Sequence, residues 1–135
     1  MAEMRIIENT SIVKDKKLYR FGELYWIKFD EETIGTEVRG PRPGLIISDN
    51  AYNQISERVI VLPCSRTLDP LYSFELFIPK LANEINGKIM IDQIQSIDKV
   101  RIGDKVKSLT VEEVNKIALK LRKILPLLGA GKAKL

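Results

Sequence analysis

The sequence predicts a mainly β protein with helices added (α+β), built on a small antiparallel barrel or sandwich that carries a C-terminal helix. Three observations carry this assignment. Short runs of β-branched and aromatic residues recur from Leu24 to Ile91, bounded by proline, glycine or small polar residues. After Thr110 the apolar residues change to helical spacing. The 135 residues can bury one core and are too few for two.

Residues 1–19 read as a weakly structured, flexible N-terminal extension. They mix charges with apolar pairs such as Ile6-Ile7 and Ile12-Val13, and include the basic run Lys14-Asp15-Lys16-Lys17. Residues 20–128 are assigned to the barrel domain. Its first strand is Leu24-Tyr25-Trp26-Ile27-Lys28-Phe29, stopped by Asp30-Glu31-Glu32. A loop rich in glycine, proline and charge spans Thr33 to Pro43, and Leu45-Ile46-Ile47 forms the second strand. Val59 to Leu62 is the third, ended by Pro63, which offers no backbone donor. Ser73 to Ile78 alternates, with Phe74, Leu76 and Ile78 on one face, and Pro79 closes it. The turn Asn86-Gly87 leads to a fifth strand, Lys88 to Ile91. Thr110-Val111-Glu112-Glu113 matches a capping box, in which the threonine hydroxyl and the glutamate satisfy each other's backbone amides. Val111, Val114, Ala118, Leu121, Leu125 and Leu128 then share a helix face. Pro126 and Gly129 mark its end, and residues 129–135 make a basic tail.

Composition narrows the chemistry. Twenty-two Lys and Arg against 18 Asp and Glu give a net charge of +4, which favours a polyanionic partner. Histidine is absent and cysteine occurs once, so the usual zinc ligands and the usual near-neutral acid and base are missing. No metal or other cofactor is therefore expected, and catalysis would fall to Arg, Lys, Ser, Thr, Tyr or carboxylates. Cys64 lies in the apolar run Val59 to Cys64 and reads as a buried structural thiol. No stretch approaches the roughly 18 to 20 apolar residues of a helical span, and Met1 to Arg20 lacks a secretory pattern, so a cytoplasmic protein without a membrane partner is expected.

Two segments combine groups suited to phosphate oxygens. In Gly35 to Gly44, prolines on both sides of Arg42 restrict the backbone, and the guanidinium fork can hold two oxygens of one phosphate. In Pro63-Cys64-Ser65-Arg66-Thr67, a strand gives way to hydroxyl and guanidinium groups. Taken alone, the first reads more readily as a surface loop with solvated charges and the second as an ordinary turn in which Ser65 and Thr67 satisfy backbone groups. A third polar segment, Asp92 to Lys99, follows the fifth strand.

In order, these segments resemble the MazF/PemK family of toxin endoribonucleases of type II toxin–antitoxin systems. The matching features are Phe21-Gly22-Glu23-Leu24-Tyr25-Trp26 with Phe29-Asp30, Gly35-Thr36-Glu37, Arg42-Pro43 before an aliphatic strand, Val61-Leu62-Pro63-Cys64-Ser65, Phe74-Glu75, and Asp92-Gln93-Ile94-Gln95-Ser96-Ile97-Asp98-Lys99. They cover roughly residues 20 to 128. The resemblance implies an SH3-like antiparallel barrel of the CcdB/PemK kind, a homodimer, and sequence-specific cleavage of single-stranded RNA without metal. It also implies a cognate acidic antitoxin, with operator DNA reached through the toxin–antitoxin complex. On it, Arg42 is the central catalytic residue and Ser65 stands at the family's catalytic Thr or Ser. Glu37 is the carboxylate placed to orient Arg42 or take the 2′-hydroxyl proton. Arg39, Arg66, Thr67 and Gln93 are the further RNA contacts. Two departures bear on the cleavage sequence: Val38 stands where members often carry Gln, and the histidine some members use is absent.

Because RNA supplies its own 2′-hydroxyl nucleophile, a protein need only align it, assist proton transfer and stabilise phosphate charge. The products would be a cyclic phosphate and a 5′-hydroxyl. A guanidinium pKa above roughly 12 favours electrostatic stabilisation over proton shuttling for Arg42. The rival readings are a non-catalytic CcdB-like toxin that binds DNA gyrase and a barrel that binds RNA or an operator without cutting. Fold does not choose among them.

Overall fold

A computed structural model describes residues 17–129 of the chain. The described residues hold seven strands and two α-helices: β1 (Glu23–Phe29), β2 (Gly40–Ile46), α1 (Asn50–Ile55), β3 (Arg58–Ser65), β4 (Glu75–Ala82), β5 (Ile85–Met90), β6 (Gln95–Asp98), β7 (Ile102–Ser108) and α2 (Val111–Ile124). The sheet runs β4-β5-β3-β2-β1-β7, with β6 added on β3, and every pairing is antiparallel. The mainly β half-barrel with a C-terminal helix is the fold the sequence predicts.

The curl originates in β3. One edge pairs with β2 along Val61 to Pro63. The other pairs with β6 along Arg58 to Val61, then with β5 at Cys64 and Ser65. A strand that changes partner along one edge splits the sheet and bends it round.

Period-2 alternation then places residues on two cores. Val59 and Val61 join Tyr25, Ile27, Phe29, Ile46 and Ile97 on one side. Leu62 and Cys64 join Leu24, Leu45, Ile78, Ile89 and Ile117 on the other, under α2.

Several boundaries differ from the sequence expectation, each for a physical reason. β2 begins at Gly40, inside the expected loop: Pro41 and Pro43 sit opposite Lys28 and Trp26, while the ladder to β3 begins only at Gly44. Alternate prolines are tolerated where one edge of the strand is unpaired. Pro63 does not end β3, because it falls in the gap between the ladders to β6 and β5. β4 likewise passes Pro79, with an irregularity between Ile78 and Ala82.

The hairpin turn is not Asn86-Gly87, which lies within β5, but Asn83-Glu84. Both are left-handed, with φ 50° and 61°, between the paired Ala82 and Ile85. That is the geometry of a two-residue type I′ turn.

Helices α1 and strands β6 and β7 were not expected. Their short polar sequences, NAYNQI, QSID and IGDKVKS, lack an apolar period. Helix α1 is fixed by its Asp49 cap and by buried Asn53, whose Nδ2 donates to the carbonyls of Tyr19 (2.9 Å) and Ser48 (3.0 Å). Tyr19, assigned to the extension, is buried and packs edge-on against Tyr25. Residues 1–16 and 130–135 of the extension and tail lie outside the described residues.

The Thr110 capping box is present as expected. The buried residue of α2 is Ile117, which the expected face omitted, whereas Val111 is 77% exposed.

One buried ion pair fastens the segment before β4 to the β4–β5 hairpin. Lys88 Nζ donates to Glu75 Oε1 (2.8 Å) and to the Pro70 carbonyl (2.7 Å), and the same Glu75 oxygen accepts from the Tyr72 amide (3.0 Å). Lys88→Met leaves the Glu75 carboxylate buried without its cation, and is expected to lower unfolding free energy in urea by about 3–5 kcal/mol. Lys88→Met combined with Glu75→Leu should recover most of that loss.

Candidate active site

Beside the Pro63 crossing lies a cleft of about 410 Å³. One wall comes from the start of β2 and the end of β3, the other from the β4–β5 hairpin. The β2–β3 register pairs Gly44 with Pro63, and two residues further along it sets Arg42 opposite Ser65, where the ladder has stopped. Both residues line the cleft, with Trp26, Arg66 and Thr67.

Main-chain carbonyls hold the Arg42 side chain. Nε and Nη2 donate to the Arg39 oxygen (3.3 and 3.1 Å), and Nη1 donates to the Cys64 oxygen (3.2 Å). A guanidinium has five N–H donors. Three are spent, leaving one on each terminal nitrogen. No carboxylate pairs with Arg42 among the described residues. Half-burial holds its pKa below the ordinary arginine range, the expected response of a cation taken partly out of water.

Ser65 is half-buried, and its Oγ accepts from the Thr67 amide (3.0 Å). Ser65 thus satisfies one backbone amide of the turn, which leaves its hydroxyl proton free to donate. No acidic residue lines the cleft, so its charge is that of Arg42 and Arg66.

Glu37 does not orient Arg42. Its Oε1 accepts from the Ile34 amide (3.0 Å), and it does not line the cleft. The carbonyls of Arg39 and Cys64 do the orienting instead. Gln93 likewise stands outside the cleft: its Oε1 accepts from the Val38 amide (3.0 Å) and its Nε2 donates to the Thr36 carbonyl (3.3 Å). Both ends of its amide hold the loop between β1 and β2. Arg39 is exposed, with Nη2 on the Gly35 carbonyl (3.3 Å). Val38 is buried in the first core and anchors the same loop.

Cys64 is fully buried, which pushes its thiol pKa well up, as expected of a structural thiol. Among the described residues no three Cys, Asp or Glu side chains cluster as metal ligands would. No described helix is long and apolar enough to cross a membrane.

The sequence reading missed the hairpin wall, with Asn83, Ile85 and Asn86, and the part of Trp26 in the cleft. The two left-handed residues carry no glycine to signal their turn.

A curled antiparallel half-barrel with an uncompensated arginine and a serine at the mouth of one cleft defines a small β-barrel protein of the SH3-like kind. A family model described as PemK-like, MazF-like toxin of type II toxin–antitoxin system matches residues 20–125. The chain is 32% identical over 101 residues to the endoribonuclease toxin MazF of Escherichia coli K12, covering 74% of this chain and 87% of that protein. It is 28% identical over 100 residues to the endoribonuclease EndoA of Bacillus subtilis, covering 71% and 84%. Among solved structures, MazF of Deinococcus radiodurans superposes with a TM-score of 0.73 at 24% identity, over 82% of this chain and 99% of that one. An endoribonuclease in complex with its cognate antitoxin from Mycobacterial species does so at 0.63 and 22% identity, over 82% and 96%. The chain belongs to the PemK/MazF family of type II toxins.

The contacts of Glu37 generate a direct test of its role. Glu37→Gln keeps the oxygen that accepts from Ile34 but cannot take a proton, so cleavage of an RNA substrate should stay within about threefold of the parent rate. Glu37→Ala removes the acceptor for the Ile34 amide and should lose more. A loss of about 100-fold or more in the glutamine variant would instead make Glu37 the proton acceptor.

Proposed function

We propose that this protein is the endoribonuclease toxin of a toxin–antitoxin pair, cutting single-stranded RNA at short sequences without a metal ion. The observation that carries the reading is the cleft itself. Two unspent guanidinium N–H groups of Arg42 and the free hydroxyl proton of Ser65 line a pocket without a carboxylate. Such a site suits a phosphate whose negative charge grows during reaction. The relatives in Escherichia coli and Bacillus subtilis are both named endoribonucleases. A gyrase binder has no need of this pair of groups.

The RNA 2′-oxygen forms a bond to phosphorus, the bond to the 5′-oxygen breaks, and a 2′,3′-cyclic phosphate and a 5′-hydroxyl result. One proton leaves the 2′-hydroxyl and one reaches the 5′-oxygen. Arg42 stabilises the dianionic phosphorus centre through its free N–H pair, and Ser65 donates to a nonbridging oxygen. Prior fixation of Arg42 by main-chain oxygens means little side-chain freedom is lost in the transition state. Arg66 and Thr67 continue the wall toward neighbouring phosphates, and the half-buried Trp26 offers a face on which a base can stack. Arg39 stands exposed beside the loop as a further backbone contact.

The partners follow from the same reading. They are a homodimer, an acidic antitoxin drawn to the +4 chain, and operator DNA engaged through the toxin–antitoxin complex. The Mycobacterial neighbour, solved with its cognate antitoxin, supports the second.

The deciding experiment incubates purified protein with a long single-stranded RNA in EDTA and maps the new ends. Discrete cuts with 5′-hydroxyl termini are expected, and intact RNA at high protein concentration sinks the reading. Arg42→Ala and Ser65→Ala should each lower the rate by about 100-fold or more while the far-UV spectrum is kept. Full activity in both variants would remove the cleft from the mechanism.

A further inference from the structure

The two walls of the cleft differ in chemistry. The β2–β3 wall carries Arg42, Arg66 and two hydroxyls, whereas the hairpin wall holds Leu81, Ala82, Asn83, Ile85, Asn86 and Gly87, with no charge among them. An uncharged wall of aliphatic surface and side-chain amides lacks the cation that most favours a phosphate. It suits a nucleobase, which is apolar on its faces and hydrogen-bonding at its edge.

Of the two amides, one is already used. Asn86 Oδ1 accepts from the Lys80 amide (2.8 Å), at a residue whose φ is +48°. Lys107 of β7 supports the same bend, with Nζ donating to the Lys80 carbonyl (2.9 Å). The nearby charges of Lys80 and Glu84 pair with each other at 3.4 Å and are largely solvated. Asn83 makes no side-chain hydrogen bond within the described residues, and it stands exposed at the tip of the type I′ turn.

The hairpin is also held close to Ser65. Strand β5 pairs Lys88 with Ser65, and a Cβ on Gly87 would lie 3.0 Å from the Ser65 carbonyl oxygen. A backbone ladder therefore sets the offset between the Asn83 amide and the reacting phosphate.

We propose that the β4–β5 hairpin is the base-reading wall of the cleft and that Asn83 is a specificity-determining residue. This rests on the ribonuclease reading. An amide presents a donor beside an acceptor, the complement of a base edge such as N6 and N7 of adenine.

The test uses the full chain and a single-stranded RNA pool randomised in sequence, with cut sites read by sequencing the new 5′ ends. Asn83→Gly keeps the left-handed backbone available and deletes the amide. It should lower base preference at one position of the site by about tenfold or more, read against the other positions of the same cut sites as the internal control. Asn83→Asp, an acceptor only, should shift that position toward bases that present amino donors. Unchanged preference in both variants, or an equal loss at every position, overturns the hairpin assignment and leaves the nuclease standing. A parent protein that cuts nothing in the pool overturns both.

Discussion

The structure depends most on β3 being shared between two cores. Val59 and Val61 face one and Leu62 and Cys64 the other, so this strand is buried on both sides of the sheet. Its two edges serve three strands, and the exchange from β6 to β5 occurs at Pro63, whose missing donor falls where no neighbour on that edge requires it. The curl of the sheet, the position of the hairpin and the opening that becomes the cleft all follow from that exchange.

The same exchange explains why a backbone carbonyl is available to Arg42. Where the β2–β3 ladder stops after Gly44 and Pro63, the Cys64 oxygen has no β2 amide to accept from, and the guanidinium supplies the bond. The Arg39 oxygen does the same at the start of β2. Neutral oxygens orient the cation without cancelling its charge, which a carboxylate partner would do. An arginine held in this way is both fixed and electrostatically unspent.

Much of this was legible in the sequence. β-branched runs disclosed β1, β2 and β3 because burial on both faces demands them, and Thr110 with Glu113 disclosed the start of α2. Strand limits were harder to read, since Pro41, Pro43, Pro63 and Pro79 break strands only where their edges are paired, and that is a property of neighbours. Arg42 and Ser65 were found through their segments and the family resemblance. Glu37 lies only five positions before Arg42 in the sequence, yet the turn at Ile34 takes up its carboxylate. Gln93 was placed on RNA, yet its partners are main-chain groups 55 and 57 residues away, a distance no local pattern reports.

That amide has a mechanical side. Gln93 holds the β1–β2 loop by two exposed or half-exposed hydrogen bonds, each contributing about 1 kcal/mol net. Breaking both would cost only about 2 kcal/mol. Buried Val38 keeps the segment tethered meanwhile. The loop is thus pinned to the barrel by one apolar side chain and clipped to it by one amide.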